Sequence, residues 1–154
     1  MGLFNKGQEA ANAINSVIKK YGIVTALYPS CVNKGVAIFS TTDFVHKNCE
    51  LVVSWGRQSE LSFQYGINAR GFDRFKTLPQ VNEIRNAYNR NARHTAMEIL
   101  GPDRPTTEGY YFAMITAEVK CKESDVRFYL DQIMREVFAE RHSHITDLLK
   151  IITI

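Results

Sequence analysis

The chain has 154 residues, of which 45% are hydrophobic and 23% are charged. These values are typical of one globular domain, and they exclude a disordered chain, a collagen-like repeat and a disulfide scaffold. The 19 basic and 16 acidic residues give a net charge of +3, which is too small to indicate nucleic acid or a membrane as the partner. We predict a single domain over residues 1–154, in which residues 145–154 form an apolar C-terminal tail.

The cysteines and the start of the chain indicate where the protein resides. Cys31, Cys49 and Cys121 have no CxxC spacing, and no secretory signal leads the chain. No apolar run approaches the roughly 20 residues that a membrane-spanning helix needs. We therefore predict free thiols and a cytoplasmic protein that does not enter a membrane.

The first half of the chain predicts one helix and then strands. Apolar residues recur at three- and four-residue steps from Ala10 to Tyr21, which indicates a helix that Gly22 ends. Strand-forming residues follow in four runs, and the two runs on either side of a short turn predict an antiparallel hairpin. The four predicted strands are Ile23–Tyr28, Val36–Thr42, Leu51–Trp55 and Leu61–Ile67, with the hairpin turn at Gly56–Ser59.

The second half predicts two further helices around two strands. Thr77 and Pro79 begin a middle helix, after a loop at Asn68–Lys76. A strand over Thr95–Leu100 and a turn at Gly101–Pro105 come next, followed by a long strand over Gly109–Cys121 that we place centrally. On that strand Phe112 and Met114 are predicted to share a face. The last helix is capped by Ser124 and continues almost to the C-terminus.

This order of elements predicts an α+β fold. It has one antiparallel sheet of five to six strands, with helices on one side: an N-terminal helix, a middle helix and a long C-terminal helix. The apolar tail either folds back onto the domain or meets a partner, since exposed alone it would be an apolar patch.

Catalytic and cofactor sites find little support in the sequence. Histidines are scattered, and His142 and His144 lie two positions apart, which does not place them on one helix face. No nucleophile elbow, P-loop or dinucleotide-binding motif occurs. We therefore predict no catalytic residue, no metal, no cofactor and no enzyme activity.

Nucleic acid is the alternative partner, although the less favoured one. The middle helix carries Arg85, Arg90 and Arg93 among several asparagines. Arginine and asparagine are the side chains that hold phosphates and read bases. The same pattern is also typical of a solvated amphipathic helix, and no helix-turn-helix pairing surrounds it.

The motif Asn86-Ala87-Tyr88-Asn89 carries a family resemblance. The chain from Val81 to Arg141 resembles the bacterial sensory-transduction-regulator-like family, whose members tend to carry Asn-x-aromatic-Asn in this helix, usually with Trp where Tyr88 stands. The loop Gly101–Glu108 and the tail after His144 depart from that pattern. The resemblance implies the fold of type III secretion chaperones, often dimeric, without catalytic residues, whose relatives bind extended segments of other proteins.

The motif residues also have a direct structural interpretation. Asn86 and Asn89 lie late in the middle helix, where asparagine can bond the local backbone, so we expect them to fix the junction between helix and strand. A role in ligand binding is the alternative.

The predicted function is a non-enzymatic protein-binding module, chaperone-like or a regulatory adaptor, that binds a protein partner or itself as a homodimer. A strand edge or a sheet face can accept an extended peptide, and the apolar tail can add to such a surface. The candidate partner surface consists of Phe63, Tyr65, Tyr110, Phe112, Ile145, Leu148, Leu149 and Ile152.

Overall fold

The computed structural model describes residues 7–21, 26–27, 37–42, 49–56, 58–67, 79–100 and 112–152. The helices in this part of the chain are α1 (Gln8–Lys20), α2 (Pro79–Asn91), α3 (Val126–Arg135) and α4 (His142–Ile152). The strands are β1 (Ala26–Leu27), β2 (Ala37–Thr42), β3 (Cys49–Gly56), β4 (Glu60–Ile67), β5 (Ala96–Ile99) and β6 (Ala113–Lys120).

The strands form a single antiparallel sheet, which confirms the predicted α+β class. Their order is β1-β2-β3-β4-β6-β5, and every neighbouring pair is antiparallel. Strands β3 to β6 carry the described core side chains of the sheet. The longest predicted strand, β6, pairs on both sides with β4 and β5, but it lies next to the edge strand rather than at the predicted central position.

The predicted hairpin joins β3 to β4. Leu51 pairs with Tyr65 and Gly56 with Glu60 across the two strands. Gln58 and Ser59 adopt positive φ angles of 64° and 58°. Two successive residues with left-handed φ angles give a turn whose twist matches that of an antiparallel hairpin. This match offsets the conformational cost of a positive φ angle in residues other than glycine.

One face of the sheet is buried and the other faces away from the core. Alternate residues of β3 and β4 are fully buried, as period-two patterning predicts, and in register they lie beside the buried residues of β6. On the opposite face, Gln64, Thr116 and Glu118 are exposed. The helices therefore cover one side of the sheet, as expected.

The start of β6 differs from the prediction. Residues 109–111 lie outside the described residues, and Phe112 is fully buried while Met114 is half-buried. Phe112 lies in a bend before the strand, where its N–H donates to the Ile67 carbonyl at 2.7 Å and its carbonyl accepts from the Leu100 N–H at 2.8 Å. Phe112 is therefore a core residue just before the strand, whereas Met114, inside the strand, is half-buried.

The C-terminal helix is interrupted rather than continuous. A 3₁₀ turn at Glu123–Asp125 precedes α3, so Ser124 lies inside that turn and is not the predicted cap. A π-helical segment, Glu136–Glu140, follows α3, and Arg141 separates it from α4. In a π segment each hydrogen bond spans five residues instead of four, which widens the helix, and such segments often occur at functional sites.

The described part of the apolar tail, residues 145–152, folds back onto the domain. Ile145, Leu148 and Leu149 belong to the core cluster, which also contains Tyr88 from α2. Of the two alternatives for the tail, packing on the domain and contact with a partner, the structure shows the first for these residues. None of the helices in the described part of the chain is both long and apolar enough to cross a membrane.

Candidate functional site

Most of the predicted partner surface lies in the core. Tyr110 and the side chain of Ile152 fall outside the described residues. The remaining six predicted residues are buried, so they do not form an exposed surface: Phe63, Tyr65, Phe112, Ile145, Leu148 and Leu149. Their alternating or helical spacing is the ordinary signature of core packing, and the prediction that they face a partner is corrected accordingly.

The residues of the Asn86–Asn89 motif in α2 have different surroundings. The Asn89 amide nitrogen donates to the Met97 carbonyl at 2.9 Å, and the Asn89 carbonyl oxygen accepts from the Met97 N–H at 2.8 Å. Tyr88 is fully buried, whereas Asn86 is exposed and accepts two hydrogen bonds from the Arg85 guanidinium. Asn89 therefore fixes the junction of α2 and β5 as expected, and Asn86 does not.

Asn89 also covers the edge of the sheet. Strand β5 is an outermost strand, and alternate residues of an antiparallel edge strand direct their N–H and C=O groups away from the neighbouring strand. Asn89 bonds both backbone groups of Met97, as an additional strand would do. This edge is thus closed at Met97 against an incoming peptide strand, in keeping with how natural sheets protect their edges.

A buried carboxylate lies beside this junction. Glu136, at the start of the π segment, has only 2% of its surface exposed. Its carboxylate accepts the backbone N–H of Arg93 at 2.5 Å, of His94 at 3.1 Å and of Thr95 at 2.8 Å. It also accepts the Thr95 hydroxyl at 2.5 Å. One side chain therefore satisfies three successive backbone donors of the loop between α2 and β5.

The charge of Glu136 is stabilised by this geometry. Burial acts to raise the pKa of Glu136, but the hydrogen bonds from Thr95 and from the three backbone N–H groups lower it below its ordinary value. The Tyr88 hydroxyl lies 2.6 Å from the Thr95 hydroxyl and extends the chain of bonds. Burial also raises the pKa of Tyr88, so its hydroxyl stays protonated and the carboxylate stays charged at neutral pH.

A polar cavity opens on the outer side of the same junction. Its volume is about 560 Å³. The C-terminus of α2, the following loop and the end of the π segment line it. Its lining residues are Arg90, Asn91, Ala92, Arg93, Glu140 and Arg141.

A second surface feature lies between α1 and α3, which run side by side in parallel. The Glu123 carboxylate accepts the backbone N–H groups of Gly7 and Ala10 at 2.9 Å each. Farther along, Arg127 donates to the Ser16 hydroxyl at 3.0 Å. We call the depression along this helix pair the α1–α3 groove, and its volume is about 560 Å³.

Asp131 is the centre of a charged cluster in the α1–α3 groove. Lys20 contacts one oxygen of its carboxylate and Arg135 the other, each at 3.0 Å. The hydrogen bond from Lys20 is the main reason that the pKa of Asp131 is lowered. The Tyr21 hydroxyl, whose pKa burial raises, lies 3.4 Å from the same carboxylate.

Phe128 lines the α1–α3 groove, and 61% of its surface is exposed. In the described part of the chain it is the one large hydrophobic residue that is exposed. Sequence reasoning missed it. The signal was present, because Phe128 falls outside the apolar stripe of α3 that runs through Val126, Leu130 and Ile133. An aromatic residue off the stripe of an amphipathic helix is expected to face solvent.

The described thiols are buried, and the described residues contain no metal-ligand cluster. Cys49 and Cys121 are buried, and burial, with the nearby Asp125, raises the pKa of the Cys121 thiol. Within the described ranges, no group of three or more histidine, cysteine, aspartate or glutamate residues is arranged to hold a metal ion.

Comparison with protein-family models, with curated proteins and with solved structures finds no match to this chain. The resemblance to the sensory-transduction-regulator-like family therefore stays a prediction.

Proposed function

We propose that the chain is a non-enzymatic protein-binding module, a chaperone-like or regulatory adaptor, that binds an acidic segment of another protein in the α1–α3 groove. The observation that carries this proposal is the exposed Phe128 side chain beside three cationic side chains. The odd number of cysteines and the absence of a CxxC spacing are in keeping with a reducing, cytoplasmic setting.

Phe128 supplies the apolar contact. A phenylalanine that is 61% exposed on a helix leaves most of its ring in water. Burying it against an apolar side chain of a partner is favourable by about 1 to 2 kcal/mol, given its partial exposure in the free protein. Its ring stacks edge-on against Tyr129 with centroids 5.3 Å apart, which holds the ring in place before a partner arrives.

The charges around Phe128 favour an acidic partner. Lys20, Arg127 and Arg135 line the groove with Asp131 as the one carboxylate among its lining residues. Asp131 is already bonded to Lys20 and Arg135, so the groove keeps an excess of positive charge. Opposite charge on the partner steers its approach and sets its orientation.

A second copy of the chain fits this groove less well. In a two-fold dimer the same patch meets itself, so Arg127 and Arg135 would face equivalent cations. The apolar tail was one of the reasons to predict a homodimer, and its residues Ile145, Leu148 and Leu149 are packed in the core. A homodimer therefore stays a prediction, with the chaperone-like fold assignment as its support.

Nucleic acid binding by the basic helix α2 has less support. Arg85 is bonded to Asn86 on the surface of the helix, while Arg90 and Arg93 converge with Arg141 on one cavity. This arrangement is compact, whereas a bound strand needs cations spaced along a groove.

Selection of random phage-displayed peptides on the full chain tests the proposed function. We expect the enriched peptides to be acidic and to contain one large apolar residue. Phe128→Ser should weaken their binding about tenfold, because it removes the apolar contact. Arg127→Glu should weaken it further, whereas the matched charge reversal Arg85→Glu, on α2, should leave it unchanged.

Three results would contradict the proposal. The first is that the enriched peptides are basic. The second is that they bind the Phe128→Ser variant as tightly as the original chain. Either result would mean that the groove is not the docking surface. A dimer in sedimentation that Phe128→Ser dissociates would mean that a second copy, rather than an acidic partner, occupies the groove.

A further inference from the structure

We propose that the cavity between the end of α2 and Arg141 is a binding site for a compact phosphate-bearing anion. This inference is independent of the α1–α3 groove, since the two features share no lining residue. It rests on the charge of the cavity, on an unpartnered buried donor and on the way Glu136 fixes the surrounding backbone.

The cavity has a strong excess of positive charge. Arg90, Arg93 and Arg141 contribute three guanidinium groups, and Glu140 contributes the one carboxylate of the lining. Guanidinium groups stay protonated at all physiological pH values and present flat arrays of N–H donors that match phosphate oxygens. A dianion would therefore neutralise the formal excess of two positive charges.

Arg141 brings a donor that lacks an acceptor. Its Nε is buried and has no hydrogen-bond partner. Among the described residues, it is the one buried side-chain nitrogen or oxygen without such a partner. Buried donors are almost always paired, and Arg141 itself lines the cavity, so a ligand bound beside this residue is expected to supply the missing acceptor. A phosphate oxygen is a suitable acceptor because it is charged.

Glu136 holds both sides of the cavity in place. Its carboxylate accepts the backbone N–H of Arg93, and its backbone carbonyl accepts the N–H of Arg141 at 2.7 Å. The second bond spans five residues, so the π segment itself sets where Arg141 leaves the helix. Two of the three arginines therefore start from a fixed backbone, which reduces the ordering cost of binding.

The negative end of the α2 dipole lies at the same place and weakens anion binding there. Its effect is small beside three guanidinium charges, because a helix end is worth about half an elementary charge. The carboxylate of Glu136 stays ionised, but it is bonded to three backbone N–H groups and is not among the lining residues of the cavity. The cavity thus remains cationic overall.

Titration of the ¹⁵N-labelled full chain with inorganic phosphate tests this site, with sodium chloride at matched ionic strength as the reference. We expect a saturable shift of the Arg141 Nε–H signal and of the backbone signals of Asn91 to Arg93. Arg90→Gln and Arg93→Gln should each weaken the affinity about tenfold, since each removes a charged hydrogen bond. Arg85→Gln, the matched control on α2 outside the cavity, should bind as the original chain does.

The proposal is wrong if chloride produces the same shifts, or if Arg93→Gln binds phosphate as tightly as Arg85→Gln. Because Arg90 and Arg93 are exposed, their substitution leaves the core intact, and a loss of binding cannot be ascribed to unfolding. A single-stranded oligonucleotide forms the last arm of the test. If it binds and Arg85→Gln weakens it as much as Arg93→Gln, α2 is an extended nucleic-acid surface and the compact anion site is overturned.

Discussion

At the scale of single residues, Glu136 connects the π segment to the loop between α2 and β5. Its carboxylate satisfies the backbone of Arg93, His94 and Thr95, and it reaches Tyr88 through the Thr95 hydroxyl. A buried carboxylate that accepts several N–H groups is favourable only in its ionised form. The loop between α2 and β5 therefore depends on the charge state of one residue in a different helical segment.

Replacing Glu136 by glutamine should destabilise the fold by about 2 to 3 kcal/mol, because the amide carries one acceptor and brings two donors to a cluster of donors. The matched control is Glu140→Gln, an exposed residue of the same π segment, which should change the free energy of unfolding by less than about 0.5 kcal/mol. Chemical denaturation at neutral pH measures both.

The same pair of variants reveals the pH dependence. The pKa of Glu136 is lower in the folded chain than its ordinary value of 4.5, so its stabilisation is fully present above that value. It is lost as the pH falls through the folded pKa. The original chain and Glu140→Gln should lose this contribution in acid, whereas Glu136→Gln should not. Parallel acid profiles for all three proteins would contradict the assignment of a charged Glu136.

At the scale of elements, the junction of α2 and β5 shows how a helix can complete a sheet. Met97 is an edge residue whose two backbone groups are both bonded by the side chain of Asn89. The apolar residues Val81 and Tyr88 hold α2 against the core, which brings Asn89 to the strand. Packing and hydrogen bonding thus fix the same geometry from two sides.

Asn89→Ala should cost about 1 to 2 kcal/mol and should accelerate hydrogen exchange at the Met97 amide, because both bonds to that residue are lost. Asn86→Ala is the matched control, since Asn86 lies one turn earlier on the same helix and contacts Arg85 instead of the strand. Equal effects of the two substitutions on Met97 exchange would show that Asn89 does not close this edge.

The elements could be predicted from the sequence where a regular pattern met a clear boundary. The β3–β4 hairpin follows from strict alternation on either side of a turn, and α1 from its three- and four-residue spacing. The break after Arg135 could not be predicted, because the apolar period continues through Val137 and Leu148 while the backbone changes to a π segment. Local spacing records which face is buried, but it does not record where the backbone hydrogen bonding changes to the π pattern.

The candidate site was harder to predict than the fold. Asn89 was correctly expected to fix the helix–strand junction, since asparagine late in a helix commonly bonds nearby backbone. Phe63 and Tyr65 were expected to face a partner and are instead core, because the pattern of a buried strand does not distinguish its own core from an interface. Arg93 and Arg141 lie far apart in sequence, and only the tertiary fold brings them to one cavity.

At the scale of the whole molecule, helices from the N-terminal and C-terminal parts of the chain together cover the core. α1 packs beside α3 and α4 lies against α2, so the N- and C-terminal helices cover the same side of the sheet. The last helix contributes to the core that supports both surface features. These are the α1–α3 groove and the cavity between the end of α2 and Arg141. The tail that suggested a partner surface is part of this framework.

The last prediction concerns that tail. Leu148 is fully buried, and Leu148→Ala should lower the free energy of unfolding by roughly 2 to 5 kcal/mol, because it removes apolar contacts and leaves a cavity. Lys150→Ala, an exposed change two residues away, should alter it by less than about 0.5 kcal/mol. Thermal unfolding followed by near-ultraviolet circular dichroism reports loss of core packing for the two variants. If Leu148→Ala instead leaves stability unchanged and abolishes self-association in light scattering, the tail is an interface between copies and its place in the core is wrong.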